Sequence, residues 1–458
     1  MDRIAIVGGG ISGLSLAYFI LSRDPAADIV IFESEQRLGG KIWTDKSEGF
    51  LCEGGVNGFL DNRPKTLDLS AMLKLSPLRS NDASRKRFIF SDRKLQRLPE
   101  SPHAFLFSGL LSLRGRLRVM AETFIKGDAR DEETLAAFTR RRLGREAYEK
   151  LIDPMASGIY AGNPETLSLR SCFSKVYDLE KNYGGLIRGM ISLQKAKKRA
   201  GSDEKVGAGP GGVLTSFHGG MVELVDALKT ALGDRVRTGF KAIALDKSRE
   251  GYHVHFADGS NTEAGTIVLA APAYASSEIL KPIDTRLSRV ISGISYPSLS
   301  VVCLGYRKEK IHMSLDGFGF LIPSREKRQI LGTLWDSSIF PDRAPEGHVL
   351  LRTMVGGVRA SALARDNDPK LVASVRSELA DIMGIKTDPD FMRIYRHEMA
   401  IPQYTVGHAD RLAEIGSILL KHHNLYVSGN AYRGIGVNDC IENSWKLAEK
   451  ITGEVANL

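Results

Sequence analysis

The chain of 458 residues has only four cysteines, Cys52, Cys172, Cys303 and Cys440, far apart and without a CxxC pair. That argues against a disulfide framework and for a reducing compartment. The ten histidines show no metal-ligand spacing. Their close pairs, His253/His255 and His422/His423, sit beside strand-like segments, and no metal is expected. No apolar run reaches the roughly 18–20 residues of a membrane-spanning helix. Met1-Asp2-Arg3 leads directly into a strand, so no signal or transit peptide is expected. Acidic residues are in deficit, with a net charge of +9 and an isoelectric point near 9.2. No nucleic-acid motif accompanies that balance. It fits an anionic membrane surface or acidic substrates, and no nucleic-acid partner is expected. What the chain does have is 43% apolar residues over a length sufficient for two or three domains with their own cores.

Residues 3–7, Arg-Ile-Ala-Ile-Val, read as a buried parallel strand. Gly8-Gly9-Gly10-Ile11-Ser12-Gly13 follows at once, and Leu14–Leu21 continues with a helical apolar face. In this strand–turn–helix unit Gly8 permits the tight turn and Gly10 lets backbone approach a pyrophosphate. Gly13 lets helix and strand pack closely. The helix N-terminus offers free N–H groups and a positive dipole end to phosphates. A second strand, Asp28–Glu33, ends in an acid twenty residues beyond Gly13. That carboxylate suits a ribose diol and would repel a 2′-phosphate. A glycine-rich turn without ligand is the bland alternative.

Arg37-Leu38-Gly39-Gly40-Lys41 adds a basic, glycine-rich turn directly after the acid. This extension resembles FAD-dependent oxidoreductases of the amine oxidase type. No second GxGxxG is present for a nicotinamide cofactor, so electrons are expected to leave to oxygen or a quinone. A third contact region lies at Asn424–Gly429, a strand-like run, followed by Asn430–Ile441 and a helix at 442–452. One non-covalent FAD is the expected cofactor.

Residues 1–80, 213–275 and 424–458 together form one discontinuous nucleotide domain in this reading. Residues 81–92 and 276–423 supply a second, mixed domain. Residues 93–205 are helical by periodicity and locally basic, at Arg114–Arg118 and Lys195–Arg199. Residues 202–212 read as a linker.

Taken together these segments resemble the protoporphyrinogen IX oxidase family over essentially the whole chain. The family-specific strings are Arg141–Gly144, Ser157–Asn163, Leu167–Phe173, Gly317–Pro323, Ile401–His408 and Gly436–Ile441. The resemblance implies an α/β fold with a discontinuous Rossmann-like FAD domain, a mixed α+β substrate domain and a helical membrane-binding domain. It implies six-electron oxidation of protoporphyrinogen IX to the porphyrin, with oxygen as acceptor and hydrogen peroxide released. Flavin contacts would fall on Gly8, Gly9, Gly10, Ile11, Ser12, Gly13, Glu33, Lys41, Gly55, Val56, Asn57, Gly58, Ala242, Asn430, Ile435, Gly436 and Val437. Arg87 would hold a propionate, with Leu321, Leu334 and Met354 against the pyrrole rings and backbone from Gly158 and Ala161. One departure shows: Val56 stands where the family often has proline, which puts the stiffness of that loop in doubt.

A porphyrinogen is broad and apolar with carboxylates along one edge. Leucines, a methionine and a rim arginine suit it, and a flavin leaves no need for a protein nucleophile. Arg87 as a solvated strand arginine and Met354 as ordinary core remain open. So do other substrates of this fold: coproporphyrinogen III, an amine or a carotenoid precursor. A non-redox flavin-fold binding protein is the alternative from another class. The expected location is cytoplasmic, peripheral on the inner face of the cell membrane. Whether a ferrochelatase docks, or the chain forms a homodimer, stays open.

Overall fold

The computed structural model describes residues 3–99, 104–105, 108–128, 130–199 and 211–453. The expected linker at 202–212 therefore lies, up to residue 210, outside the described residues. Strands Ile4–Val7 and Ile29–Glu33 are apolar on both faces because both faces are covered, as parallel strands require. Ile4, Ile6, Ile29 and Ile31 pack under helices Ile11–Arg23, Val222–Leu232 and Val437–Thr452. Ala5, Val7, Val30 and Phe32 pack on the other side against the antiparallel ribbon of Ala242–Lys247, Tyr252–Phe256 and Asn261–Ala264. The five-stranded sheet runs in the order Val236–Thr238, Ile29–Glu33, Ile4–Val7, Thr266–Leu269, Leu425–Val427, and every pairing is parallel. Three separate stretches of chain thus build one α/β unit.

A seven-stranded sheet forms the second layer system. Its order is Phe391–His397, Leu299–Arg307, His348–Gly356, Ile330–Leu334, Gly319–Leu321, Arg87–Ser91, Lys94–Arg97. All its pairings are antiparallel except that of Gly319–Leu321 with Arg87–Ser91. One face carries Phe88, Phe90, Val302 and Phe320 and is covered by helix Asp368–Met383. The opposite face is turned toward the nucleotide unit.

A helical region packs against both, including Leu113–Met120, Leu135–Arg142, Asp153–Tyr160, Ser174–Tyr183 and Leu186–Arg199. Its core of Leu135, Phe138, Ala156, Tyr160 and Tyr177 includes Tyr404 from far along the chain. Fully buried Arg142 pairs with buried Glu122 and donates to the carbonyls of Ile125, Lys126 and Gly184. The string Arg141–Gly144 therefore lies in a buried ionic joint of this region.

Two expected boundaries move. The cut between residues 92 and 93 falls in a hairpin turn: Lys94–Arg97 pairs with Arg87–Ser91 and stays in the seven-stranded sheet. Helices Ala273–Leu280, Thr285–Ser292 and His408–Leu419, expected from 276 onward in the mixed domain, share the core of the nucleotide sheet instead. Cross-strand pairing and core sharing are non-local, so neither is carried by local composition.

Candidate active site

The first turn has the geometry its glycines predict. Gly8 has φ +119°, and a methyl there would meet the Ala270 carbonyl at 2.8 Å. A Cβ on Gly13 would overlap the Gly8 carbonyl oxygen. Gly10 is the opposite case, since a Cβ there would meet no atom within 4 Å. The protein leaves that space open beside the N-terminus of helix Ile11–Arg23, where N–H groups lack partners along the helix.

Glu33 stands next to this turn. Its Oε2 accepts the Gly9 N–H at 2.7 Å, and its Oε1 accepts from the Ser34 hydroxyl and the Glu35 N–H at 3.0 Å each. A carboxylate accepts about four such bonds, so capacity for a ribose hydroxyl remains. Phe240 N–H donates to the Glu33 carbonyl, which places Ala242 on the same side.

The basic turn bears directly on the glycine turn: Gly39 N–H donates to the Gly9 carbonyl at 2.9 Å. Arg37 spends its guanidinium on the turn itself, donating to the carbonyls of Leu38, Gly40 and Ile42. Lys41 Nζ donates to the Met399 carbonyl at 2.6 Å. Burial, then the neighbouring Arg37 charge, pulls its ammonium down to about 8.

Loop 54–58 closes on these groups. Gly55 is pressed against the Lys41 carbonyl and Gly58 against that of Thr215, so neither position admits a Cβ. Val56, Ile11 and Val437 meet in one apolar cluster. Asn57 between them has both amide atoms buried and without a hydrogen-bond partner. An orphaned buried amide is costly. Together with the open space at Gly10 it fits a cradle for a polar, phosphate-bearing ring cofactor. The final helix begins at Val437 rather than at the expected 442, with Gly436 as its N-cap and the Asp439 carboxylate accepting the Gly436 N–H at 3.3 Å. Asn430, Ile435 and Gly436 thus precede a helix N-terminus. That helix is tied to the cradle by Asn438, which donates to the Leu60 carbonyl, and by Ser444, which donates to that of Ser12.

The six expected substrate residues are distributed around one surface. The strand registers set Arg87, Leu321, Leu334 and Met354 on the same face of the seven-stranded sheet, the face turned to the nucleotide unit. Leu321, Leu334 and Met354 are half-buried there, and Arg87 is exposed at the margin with its guanidinium 5.3 Å from the Phe318 ring centroid. Gly158 lies against Leu321, where a Cβ would collide. Ala161 closes helix Asp153–Tyr160 in the left-handed conformation, φ +48°, and its carbonyl accepts the Val358 N–H at 2.8 Å. Ala161 and Met354 meet in one cluster with Leu299 and Ile401.

Sequence reasoning missed a buried charged group joining the two halves. Glu53, Asp336, Arg343 and Arg352 are all inaccessible to solvent. Glu53 accepts from the Met221 N–H and the Thr44 hydroxyl, and burial pushes its carboxyl up to about 7. Gln403, in the string Ile401–His408, donates to the Tyr160 and Ile401 carbonyls and so braces the turn at Ala161. No local pattern marks these residues, because the contacts that join the two halves, Glu53 to Met221 and Arg352 and Gln403 to Tyr160, span 168 to 299 positions. Among the described residues no cluster of His, Cys, Asp or Glu suits a metal ion.

The family model for flavin containing amine oxidoreductase matches residues 11–452. The chain is 32% identical to the chloroplastic protoporphyrinogen oxidase of Oryza sativa subsp. japonica, over 98% of this chain and 87% of that one. It is 30% identical to the coproporphyrinogen III oxidase of Bacillus subtilis (strain 168), over 96% of both. The crystal structure of "Putative protoporphyrinogen oxidase" from Exiguobacterium sp. 255-15 superposes with a TM-score of 0.85 at 26% identity, covering 99% of each chain.

Proposed function

The chain belongs to the flavin containing amine oxidoreductase family, with FAD as the cofactor that membership implies, and from that premise we propose that it oxidises protoporphyrinogen IX to protoporphyrin IX. The observation that carries this reading is the shared sheet face of Leu321, Leu334 and Met354, with Gly158 against it and Arg87 at its margin. Beside the buried Arg352–Asp336 pair that face presents the apolar side chains of Leu321, Leu334 and Met354 with a cation at one edge, and a porphyrinogen is a broad apolar ring with carboxylates at one edge.

FAD, when bound, would supply the two-electron acceptor for the substrate, with oxygen as the final acceptor in this reading. Six electrons and six protons leave the porphyrinogen in three two-electron rounds, and three oxygen molecules become three hydrogen peroxides. The chain's own residues bind and orient. Gly8–Gly13 and the helix behind them would receive the pyrophosphate, Glu33 a ribose, and Asn57 the buried polar edge of the cofactor. Leu321, Leu334 and Met354 exclude water without competing hydrogen bonds. Arg87 fixes the propionate edge, which holds the ring in one orientation.

Coproporphyrinogen III shares the ring and differs in carrying more carboxylates, and relatives bearing both names align over nearly the full chain. Anaerobic mixing with each porphyrinogen while following flavin bleaching tests the proposal. Faster bleaching by protoporphyrinogen IX is expected. Preference for coproporphyrinogen III transfers the assignment to that substrate, and no bleaching by either removes it.

A further inference from the structure

Arg352 has no part in the reading above, yet it joins the two halves of the site. It projects from strand His348–Gly356, two residues before Met354 and on the same face. Its Nε lies 2.9 Å from Oδ2 of Asp336, and both side chains are buried. Its Nη1 donates to the Glu53 carbonyl at 3.2 Å and the Gly55 carbonyl at 3.0 Å. Glu53 is itself a joint: its carboxylate accepts from Met221 N–H and Thr44 in the nucleotide unit, while its carbonyl is held by the sheet.

We propose that Arg352, anchored by Asp336, is a positioning residue that sets the cofactor loop 54–58, and with it Asn57, against the sheet face that takes the substrate. This rests on the FAD and substrate assignment above. A guanidinium can face an acid through Nε and reach two carbonyls through Nη1 at once. An ammonium offers one point charge and cannot hold that geometry. An ion pair buried this deeply is not an economical way to stabilise a fold, because desolvation offsets most of its attraction. What it fixes well is relative position, here between one loop and one strand.

Arg352→Lys and Asp336→Asn are compared with wild type in three measurements: FAD titration of the apoprotein, visible circular dichroism of bound flavin, and anaerobic flavin reduction across porphyrinogen concentrations. Arg352→Lys should weaken FAD about tenfold, as expected for a lost charged hydrogen bond, and alter the visible dichroism. At saturating FAD it should slow flavin reduction about tenfold while the substrate concentration for half-maximal rate stays within about twofold. Asp336→Asn should show the same changes to a smaller degree, and it carries the test if Arg352→Lys does not fold. Wild-type affinity, dichroism and reduction rate in the folded variants would overturn the proposal. Wild type that binds FAD but is reduced by neither porphyrinogen removes the substrate assignment alone, and the titration and dichroism then decide for Arg352. Wild type that binds no FAD overturns both.

Discussion

Arg87 sits on an exposed strand position with its guanidinium over the Phe318 ring, a place a surface arginine could occupy without any substrate. Its loss therefore discriminates. A charged hydrogen bond is worth about 1.5–3 kcal/mol, or roughly ten- to hundred-fold in affinity. The propionate edge lies away from the reacting carbon, so Arg87→Ala should raise KM by that factor and slow flavin reduction at saturation much less. Arg87→Lys should recover only part, and flavin content should stay normal. Stopped-flow reduction across substrate concentrations decides, and an unchanged concentration dependence makes Arg87 a solvated strand residue. Lys41 gives a second handle through pH. Burial holds its ammonium at about 8 in the free protein, and contact with an anionic cofactor would raise it. The contribution to FAD affinity is then fully present below pH 8 and is lost as pH rises through 8 toward the bound value. FAD titrations from pH 7 to 9.5 should show dissociation constants climbing up to about tenfold per unit in wild type. Lys41→Arg should be flat, and a flat wild-type profile would separate Lys41 from the cofactor.

The glycine turn shows how one element divides fold from function. Gly10 has an ordinary φ of −76° and open space around its missing side chain, so Gly10→Val should fold and lose its yellow colour. Gly13→Ala would drive a methyl into the Gly8 carbonyl, so it should lower thermal stability by about 1–3 kcal/mol whether or not FAD is present. Melting curves beside flavin absorbance separate the two, and a Gly10→Val protein with stoichiometric FAD would refute the account of the turn. Elements of this kind were legible because their causes are local. Positive φ at Gly8 and the continuous apolar run of Ile4–Val7 need only neighbouring residues. The start of the last helix was placed five residues late although Val437, Cys440 and Ile441 already carry its buried face, because Asn438 and Asp439 read as turn residues and the start signal, Asp439 accepting from the Gly436 N–H, is polar. Strand Lys94–Arg97 is mostly polar, with a single apolar residue, and exists because Arg87–Ser91 pairs with it. The Arg352–Glu53 joint spans 299 positions, and nothing in Leu-Leu-Arg-Thr announces it.

At the scale of the whole molecule the unpaired feature is the outer side of the helical region. The apolar run of residues 105–111 does not supply it: Leu110 and Leu111 are buried, and residues 106–107 lie outside the described residues. The exposed apolar groups come one segment later, with Leu113 64%, Leu117 56%, Met120 48% and Phe124 86% accessible. Helix Leu186–Arg199 packs against Ala121–Phe124 and presents exposed Lys195, Lys198 and Arg199. Of the expected basic run, Arg118 is committed to the carbonyls of Arg141 and Arg142 and Arg116 is half-buried, which leaves Arg114 exposed. No described helix is long and apolar enough to cross a membrane; we propose, from the exposed apolar and basic groups alone, that this side rests on a membrane surface. Each apolar side chain sunk into the acyl boundary contributes roughly 1.5–3 kcal/mol, and each cation near anionic headgroups about 1 kcal/mol. The apolar side chains should therefore dominate. Leu117→Asp with Phe124→Asp should reduce vesicle partitioning about a hundredfold or more on neutral and anionic lipid alike. Arg114→Gln with Lys198→Gln should reduce it roughly tenfold or more on anionic vesicles alone. All four positions are accessible, so melting temperature should hardly move. Liposome flotation reads both effects. Equal binding of wild type to neutral and anionic vesicles would remove the cations from the account, and unchanged flotation of the double aspartate variant would leave these side chains without a membrane role.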